Sequence, residues 1–163
     1  MSGAAPTPAA VRQVLSFHVA GEDCAIDLTH VREIVRFESA TRVPRVADCV
    51  RGVVNLRGTV VPVIDLAVGL GRTAAPVTAH TCLIVVELLL GGERAVVGLV
   101  VDSVHQVLDA RPEDVDPPPS FGTAVPPTAL LGLVRSAGGV VFLLDLEHLL
   151  ASGVLPALAG ESA

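Results

Sequence analysis

The chain has 163 residues, of which 51% are hydrophobic and 17% charged, with a net charge of −6. That length suits one domain or two very small fused units, and it can bury a sizeable core without disulfide staples. Eleven basic residues against seventeen acidic ones, and four phenylalanines with no Trp or Tyr, exclude the clustered cations and stacking platforms that nucleic acid or an anionic membrane surface requires.

In chain order, residues 1–10 are Met, Ser, Gly, Ala, Pro and Thr, which predicts a disordered lead-in. They lack the basic start and apolar run of a secretory signal. Twenty-nine valines and regularly spaced Gly and Pro then predict a mainly β chain. The expected strands are 11–19, 23–28, 34–37, 50–56, 59–65, 81–88, 95–101, 104–108, 131–134 and 140–145, with turn formers at Gly21-Glu22, Arg57-Gly58 and Gly91-Gly92. Residues 71–79 and 116–127 are expected loops. Leu144 to Leu158 has helical spacing, limited by Pro156, so residues 151–163 are expected to be a helix end and tail. The richest apolar stretch, Thr81 to Leu90, contains Glu87 and stops at Gly91-Gly92, well short of the ~20 residues of a membrane span. Cys24, Cys49 and Cys82 are odd in number and lack CxxC spacing, which suits buried free thiols in a cytoplasmic protein.

An internal repeat organises these strands. Residues 52–66, GVVNLRGTVVPVIDL, align without gaps on residues 132–146, GLVRSAGGVVFLLDL. Upstream, Val31-Arg-Glu-Ile-Val35 is similar to Val104-His-Gln-Val-Leu108, each followed at the same distance by Pro44 or Pro117. The repeat predicts two similar small β-barrels with a groove between them, spanning residues 11–150. Positions the copies share belong to the scaffold: Gly58 and Gly138 for a hairpin turn, Asp65 and Asp145 for capping a following helical turn. Positions that differ are free for binding, notably Arg57 against Ala137 and Glu33 against Gln106.

Chemistry-bearing motifs are sparse. His18, His30, His80, His105 and His148 are scattered, and His80-Thr-Cys82 alone falls short of the three ligands of a zinc site. Gly69-Leu-Gly71 lacks the lysine and hydroxyl residue of a phosphate-binding loop and reads as a helix-ending turn. No nucleophile elbow or Cys/His pair has catalytic context, and Asp27, Asp65, Asp102 and Asp145 suit turn and cap duty. The residues therefore predict no enzyme, no metal and no cofactor.

Phe17-His-Val-Ala-Gly-Glu-Asp-Cys-Ala-Ile-Asp-Leu28, Val31-Arg-Glu-Ile-Val35 and the block Gly52-Val-Val-Asn-Leu-Arg-Gly-Thr-Val-Val-Pro-Val-Ile-Asp-Leu66, followed by residues 98–108 and 132–150, closely resemble the CheW family of bacterial chemotaxis coupling proteins. The resemblance covers residues 14–150 and implies a mainly β fold of two five-stranded SH3-like barrels with a C-terminal helix. It implies a cytoplasmic adaptor, recruited to membrane-associated arrays, that couples methyl-accepting chemoreceptors to the histidine kinase CheA. An adaptor of a non-flagellar chemosensory pathway stays open as the alternative. Carried over residue by residue, Val31, Glu33, Gly52, Arg57 and Val107 match receptor-groove or groove-supporting positions, with Arg57 and Glu33 as a possible ion pair. Val43, Pro44, Gly58, Asp116 and Phe121 match kinase-facing positions. Cys24-Ala25 stand where relatives place an aromatic and Gly, which implies that the first barrel repacks around Leu28 and Val35.

Overall fold

The computed structural model describes residues 12–44, 46, 48–117, 129–136 and 138–151. The expected lead-in, most of the 116–127 loop and the tail beyond 151 lie outside them. Ten strands form where expected: β1 (Arg12–Val19), β2 (Glu22–Asp27), β3 (Val31–Arg36), β4 (Val50–Leu56), β5 (Thr59–Asp65), β6 (Cys82–Leu90), β7 (Glu93–Val101), β8 (Ser103–Ala110), β10 (Leu130–Ser136) and β11 (Gly139–Leu144). A two-residue strand, β9 (Val115–Asp116), lies at the start of what the sequence suggested was loop. The first hairpin turns at Ala20-Gly21, one residue earlier than expected, because both residues hold the positive φ that a two-residue turn demands.

The strands form a five-stranded sheet, in order β3-β6-β7-β5-β4, and a six-stranded sheet, in order β8-β1-β2-β11-β10-β9. The expectation of two five-stranded units is corrected only by β9, which adds to the edge of β10 through Leu133↔Asp116 and Val134↔Val115. The two orders correspond strand for strand: β3 with β8, β6 with β1, β7 with β2, β5 with β11 and β4 with β10. Each sheet has one parallel junction, β5 on β7 through Val63↔Gly98 and β11 on β2 through Leu143↔Ala25. The chain is thus a tandem repeat whose first hairpins are exchanged. The β1–β2 hairpin joins the outer strands of the second half, and β6–β7 joins those of the first.

The repeated hairpins agree at bulge and cap but not at the turn, where Gly58 has a positive φ and its expected counterpart Gly138 does not, Gly139 taking it instead. Pairing shifts by one residue between Val50 and Gly52, and again between Leu130 and Gly132. The Asp65 N–H donates to the Cys49 carbonyl at 2.6 Å, and the Asp145 N–H to the Ala129 carbonyl at 2.8 Å. Each aspartate then caps one turn of helix, α1 (Leu66–Gly69) or α2 (Leu146–Leu149), accepting from the Val68 N–H at 3.4 Å and the His148 N–H at 3.1 Å. The helix expected from Leu144 onward begins only after this cap, since Leu144 is the last residue of β11. Gly71, at φ +84°, ends α1 with its N–H on the Val68 carbonyl, the expected helix-ending turn. Pro44 and Pro117 do not correspond: the bridge Thr41↔Val53 takes the place of Asp116↔Leu133, so Pro117 follows its bridge residue directly and Pro44 lies three residues on.

Apolar side chains collect in three cores. A shared core between the sheets joins Leu15, Phe17, Cys24 and Ile26 to Ile64, Ile84, Leu99 and Val101, closed by Leu66 of α1 and Leu146 of α2. Val14, Ala25, Val134 and Leu143 fill the six-stranded sheet, and Phe37, Val63, Leu83 and Val100 the five-stranded one. Cys24 belongs to the shared core with Leu28, whereas Val35 packs in the five-stranded sheet. The strand exchange puts Val35 in the other unit, so it does not pack with Cys24 as the expected repacking around Leu28 and Val35 required. Of the three free thiols only Cys24 is buried, and Cys49 and Cys82 are half-buried.

Candidate functional site

The β4–β5 turn is built from Arg57 and Gly58, at φ +53° and +87°, with the Asn55 carboxamide oxygen accepting the Gly58 N–H at 2.8 Å. A left-handed arginine is uncommon, and here it aims the side chain back across the open side of the sheet. Arg57 donates to the Glu33 carboxylate on β3. Because β3 and β4 are the two edges of the five-stranded sheet, this pair links the edge strand to the far hairpin. The Glu33 hydrogen bond, with its charge, raises the guanidinium above its ordinary value. Arg57 remains 73% exposed and keeps donors free to meet a partner.

Val31, two residues before Glu33, packs against the shared core, as does Val104 at the corresponding place on β8. The starts of β3 and β8 therefore both flank the junction between the sheets. Val107 on β8 is 46% exposed, and Ile34, its counterpart on β3, is 41% exposed. These edge-strand residues present apolar surface beside ionic and polar groups, the composition a helix-binding groove uses. Ile34 was missed at the level of sequence, although the match of residues 31–35 with 104–108 sets it against Val107.

Gly52 plays a supporting part. It is buried at φ +141°, and a Cβ there would lie 2.0 Å from the Thr41 carbonyl oxygen. It lets residues 38–44 cross tightly over β4. Those residues bound a cleft of about 740 Å³ with Val43, Pro44, Asp48 and Arg51 in its walls. On its floor Arg51 Nε donates to Asp65 at 2.8 Å, and its guanidinium lies 5.8 Å from the centre of the Phe37 ring. Sequence reasoning credited Asp65 only with capping. The one available signal was that Arg51 aligns with Leu131, a repeat position that changes from apolar to charged.

The kinase-facing positions fall in separate places. Val43 and Pro44 belong to the cleft, and Gly58 is at the hairpin tip. Asp116 is on β9, where it takes a hydrogen bond from Arg135 of β10, which also donates to the Glu113 carbonyl. Phe121 lies outside the described residues. The structure thus brings Glu33 and Arg57 together, sets Gly52 beneath the cleft that holds Val43 and Pro44, and leaves Val107 and Asp116 on the other sheet.

Among the described residues no helix is long and apolar enough to cross a membrane. Residues 13–154 match the CheW-like domain. The chain is similar to the chemotaxis protein CheW of Klebsiella aerogenes, at 36% identity over 141 residues that make up 86% of this chain and 82% of that protein. It is 30% identical over 142 residues to the protein FrzA of Myxococcus xanthus, covering 85% of each. Its structure is similar to that of the scaffolding protein TtCheW from Thermoanaerobacter tengcongensis, with a TM-score of 0.75 and 27% identity, covering 90% of this chain and 94% of that one.

Proposed function

Because this chain belongs to the CheW-like family of adaptor and scaffold domains, we propose that it couples methyl-accepting chemoreceptors to the histidine kinase CheA in the cytoplasm. It acts by binding both, so that receptor state controls kinase autophosphorylation. The observation that carries this reading is the Arg57–Glu33 pair across the two edges of one sheet, joining residues that the resemblance assigns to receptor contact. A receptor tip is a helical hairpin. The apolar edge residues Val31, Ile34 and Val107 suit its hydrophobic stripe, and Arg57 offers a fork of donors to its polar flank. Kinase contacts are assigned to Val43, Pro44 and Gly58 on one side and to Asp116 and Phe121 on the other. Membership of arrays then follows from two partner surfaces on one small molecule.

Arg57→Ala separates the partners. Receptor affinity should fall by roughly ten- to hundred-fold, as for a central interface arginine, while kinase affinity and melting temperature stay close to wild type. The turn should tolerate the change, since alanine at φ +53° is about as strained as the arginine it replaces. Unchanged receptor affinity would sink the receptor assignment. The similarity to FrzA keeps a non-flagellar chemosensory pathway in view, and the receptor that co-purifies with the chain from its native cytoplasm decides between them.

A further inference from the structure

We propose that His18, Asp23 and His105 form a binding site for a transition-metal dication of the zinc type. The three ligand atoms come from three adjacent strands and all lie within 4.8 Å of one another. His18 Nδ1 is 3.0 Å from Asp23 Oδ1, and His105 Nε2 is 3.7 Å from that same oxygen. Ligand bonds of 2.0–2.2 Å in a tetrahedral zinc site put donor atoms about 3.4 Å apart, so the observed spacings bracket what the ion needs. Two imidazoles and a carboxylate form a donor set that favours zinc, nickel or copper over magnesium or calcium. The imidazoles stand edge to face with ring centres 6.3 Å apart, which leaves room for an ion between them. Asp23 and His105 also border a surface hollow of about 220 Å³ with Ser16, Gln106 and Ser136, so the remaining coordination positions are open to water.

The backbone explains how His105 gets there. Pairing of β1 with β8 steps from Ser16↔Gln106 to Phe17↔Val104, leaving His105 as the extra residue of a bulge, a device that re-aims a side chain. The other sheet has the same bulge: β3 and β6 step from Glu33↔Val85 to Val31↔Val86, leaving Arg32. There the extra residue meets Glu87, the counterpart of His18, in an ion pair at 3.0 Å, and Arg94 pairs with the same carboxylate at 2.7 Å. The scaffold thus needs the bulge but not the histidines. In the six-stranded sheet alone, its two facing positions carry imidazoles directed at one carboxylate.

The test is titration of the full-length chain with zinc chloride by calorimetry, and with cobalt chloride by visible absorption. One ion per chain is expected, with a nitrogen- and oxygen-ligated cobalt spectrum. Saturating zinc, at about 100 times its dissociation constant, should raise the melting temperature by roughly 5–10 °C. His18→Ala and His105→Ala should each weaken binding by about tenfold or more, and Arg32→Ala at the twin bulge should leave it unchanged. Should either histidine variant lose its native circular dichroism, Asp23→Asn gives the same comparison from a turn-proximal, exposed position. Absence of saturable binding overturns the proposal. So does binding that survives both histidine substitutions and disappears with Cys82→Ala.

Discussion

The hairpin β4–β5 and the hairpin β10–β11 share a pairing pattern but not a surface. Both have the same bulge, the same aspartate N–H closing onto a carbonyl, and the same one-turn helix behind it. Both need glycine after the bulge because another segment's carbonyl crosses there, Thr41 over Gly52 and Asp116 over Gly132. What differs is charge. The first hairpin carries Arg51 into Asp65 and Arg57 into Glu33, while the second has Leu131, 46% exposed, where Arg51 stands. Two copies of one scaffold therefore separate what folding requires from what binding uses, within a single chain.

Four substitutions test that separation, beginning with the largest effect. Gly52→Ala should destabilise by about 4 kcal/mol, since it combines strain at φ +141° with a backbone collision that no rotamer relieves. Gly132→Ala meets a similar collision, at 2.6 Å from the Asp116 carbonyl oxygen, without the positive φ, and should cost about 1–3 kcal/mol. Urea unfolding of both variants checks the order, and equal losses would mean that φ contributes nothing.

Asp65→Asn and Asp145→Asn come next. Asparagine caps a helix as well as aspartate does, so Asp145→Asn should shift stability by no more than about 0.5 kcal/mol. At position 65 the same change removes the charge facing Arg51 in a site where Asp65 is only 3% exposed, and should cost about 2–4 kcal/mol. Matching losses in thermal unfolding would show that capping, not the ion pair, sets the requirement for aspartate.

A third comparison concerns Cys24 and its counterpart Val97 in the other exchanged hairpin. Burial, helped by the charges of Glu22 and Asp23, pushes the Cys24 thiol up to about 12. At pH 8 its thiolate is then on the order of one part in ten thousand, and iodoacetamide should label it only after unfolding. Cys24→Val, which copies the other hairpin, should therefore fold with a stability change within about 1.5 kcal/mol. Labelling of Cys24 in the native state would reveal an opening of the shared core.

The smallest effect belongs to Asp27. Burial works to raise its carboxyl, but hydrogen bonds from the Thr29 N–H and hydroxyl, with Arg12 nearby, outweigh that and hold it below the usual carboxylate range. A depressed folded-state value contributes stability above the unfolded carboxylate range and loses it as pH falls through the folded value. Asp27→Asn should therefore lower the melting temperature slightly near pH 7 and flatten its decline below about pH 4, so that the two chains converge in acid. An unchanged acid slope would assign that decline to other carboxylates.

The sequence by itself determined most of what neighbours along the chain govern. Valine-rich alternation, two-residue turns and capping aspartates placed ten strands, and the bounds of β4 and β5 emerged as expected. The repeat singled out Arg57 and Glu33 because a scaffold position that changes chemistry is visible in one dimension. The tertiary structure alone decided which hairpin pairs with which. The two exchanged hairpins present equivalent edges to equivalent partners, so no local pattern distinguishes β1–β2 against β11 from β6–β7 against β5. It also decided that Arg51 meets Asp65, and that one extra residue in β8 turns His105 toward His18 and Asp23. A bulge is a property of two strands in register, and register is set by long-range packing.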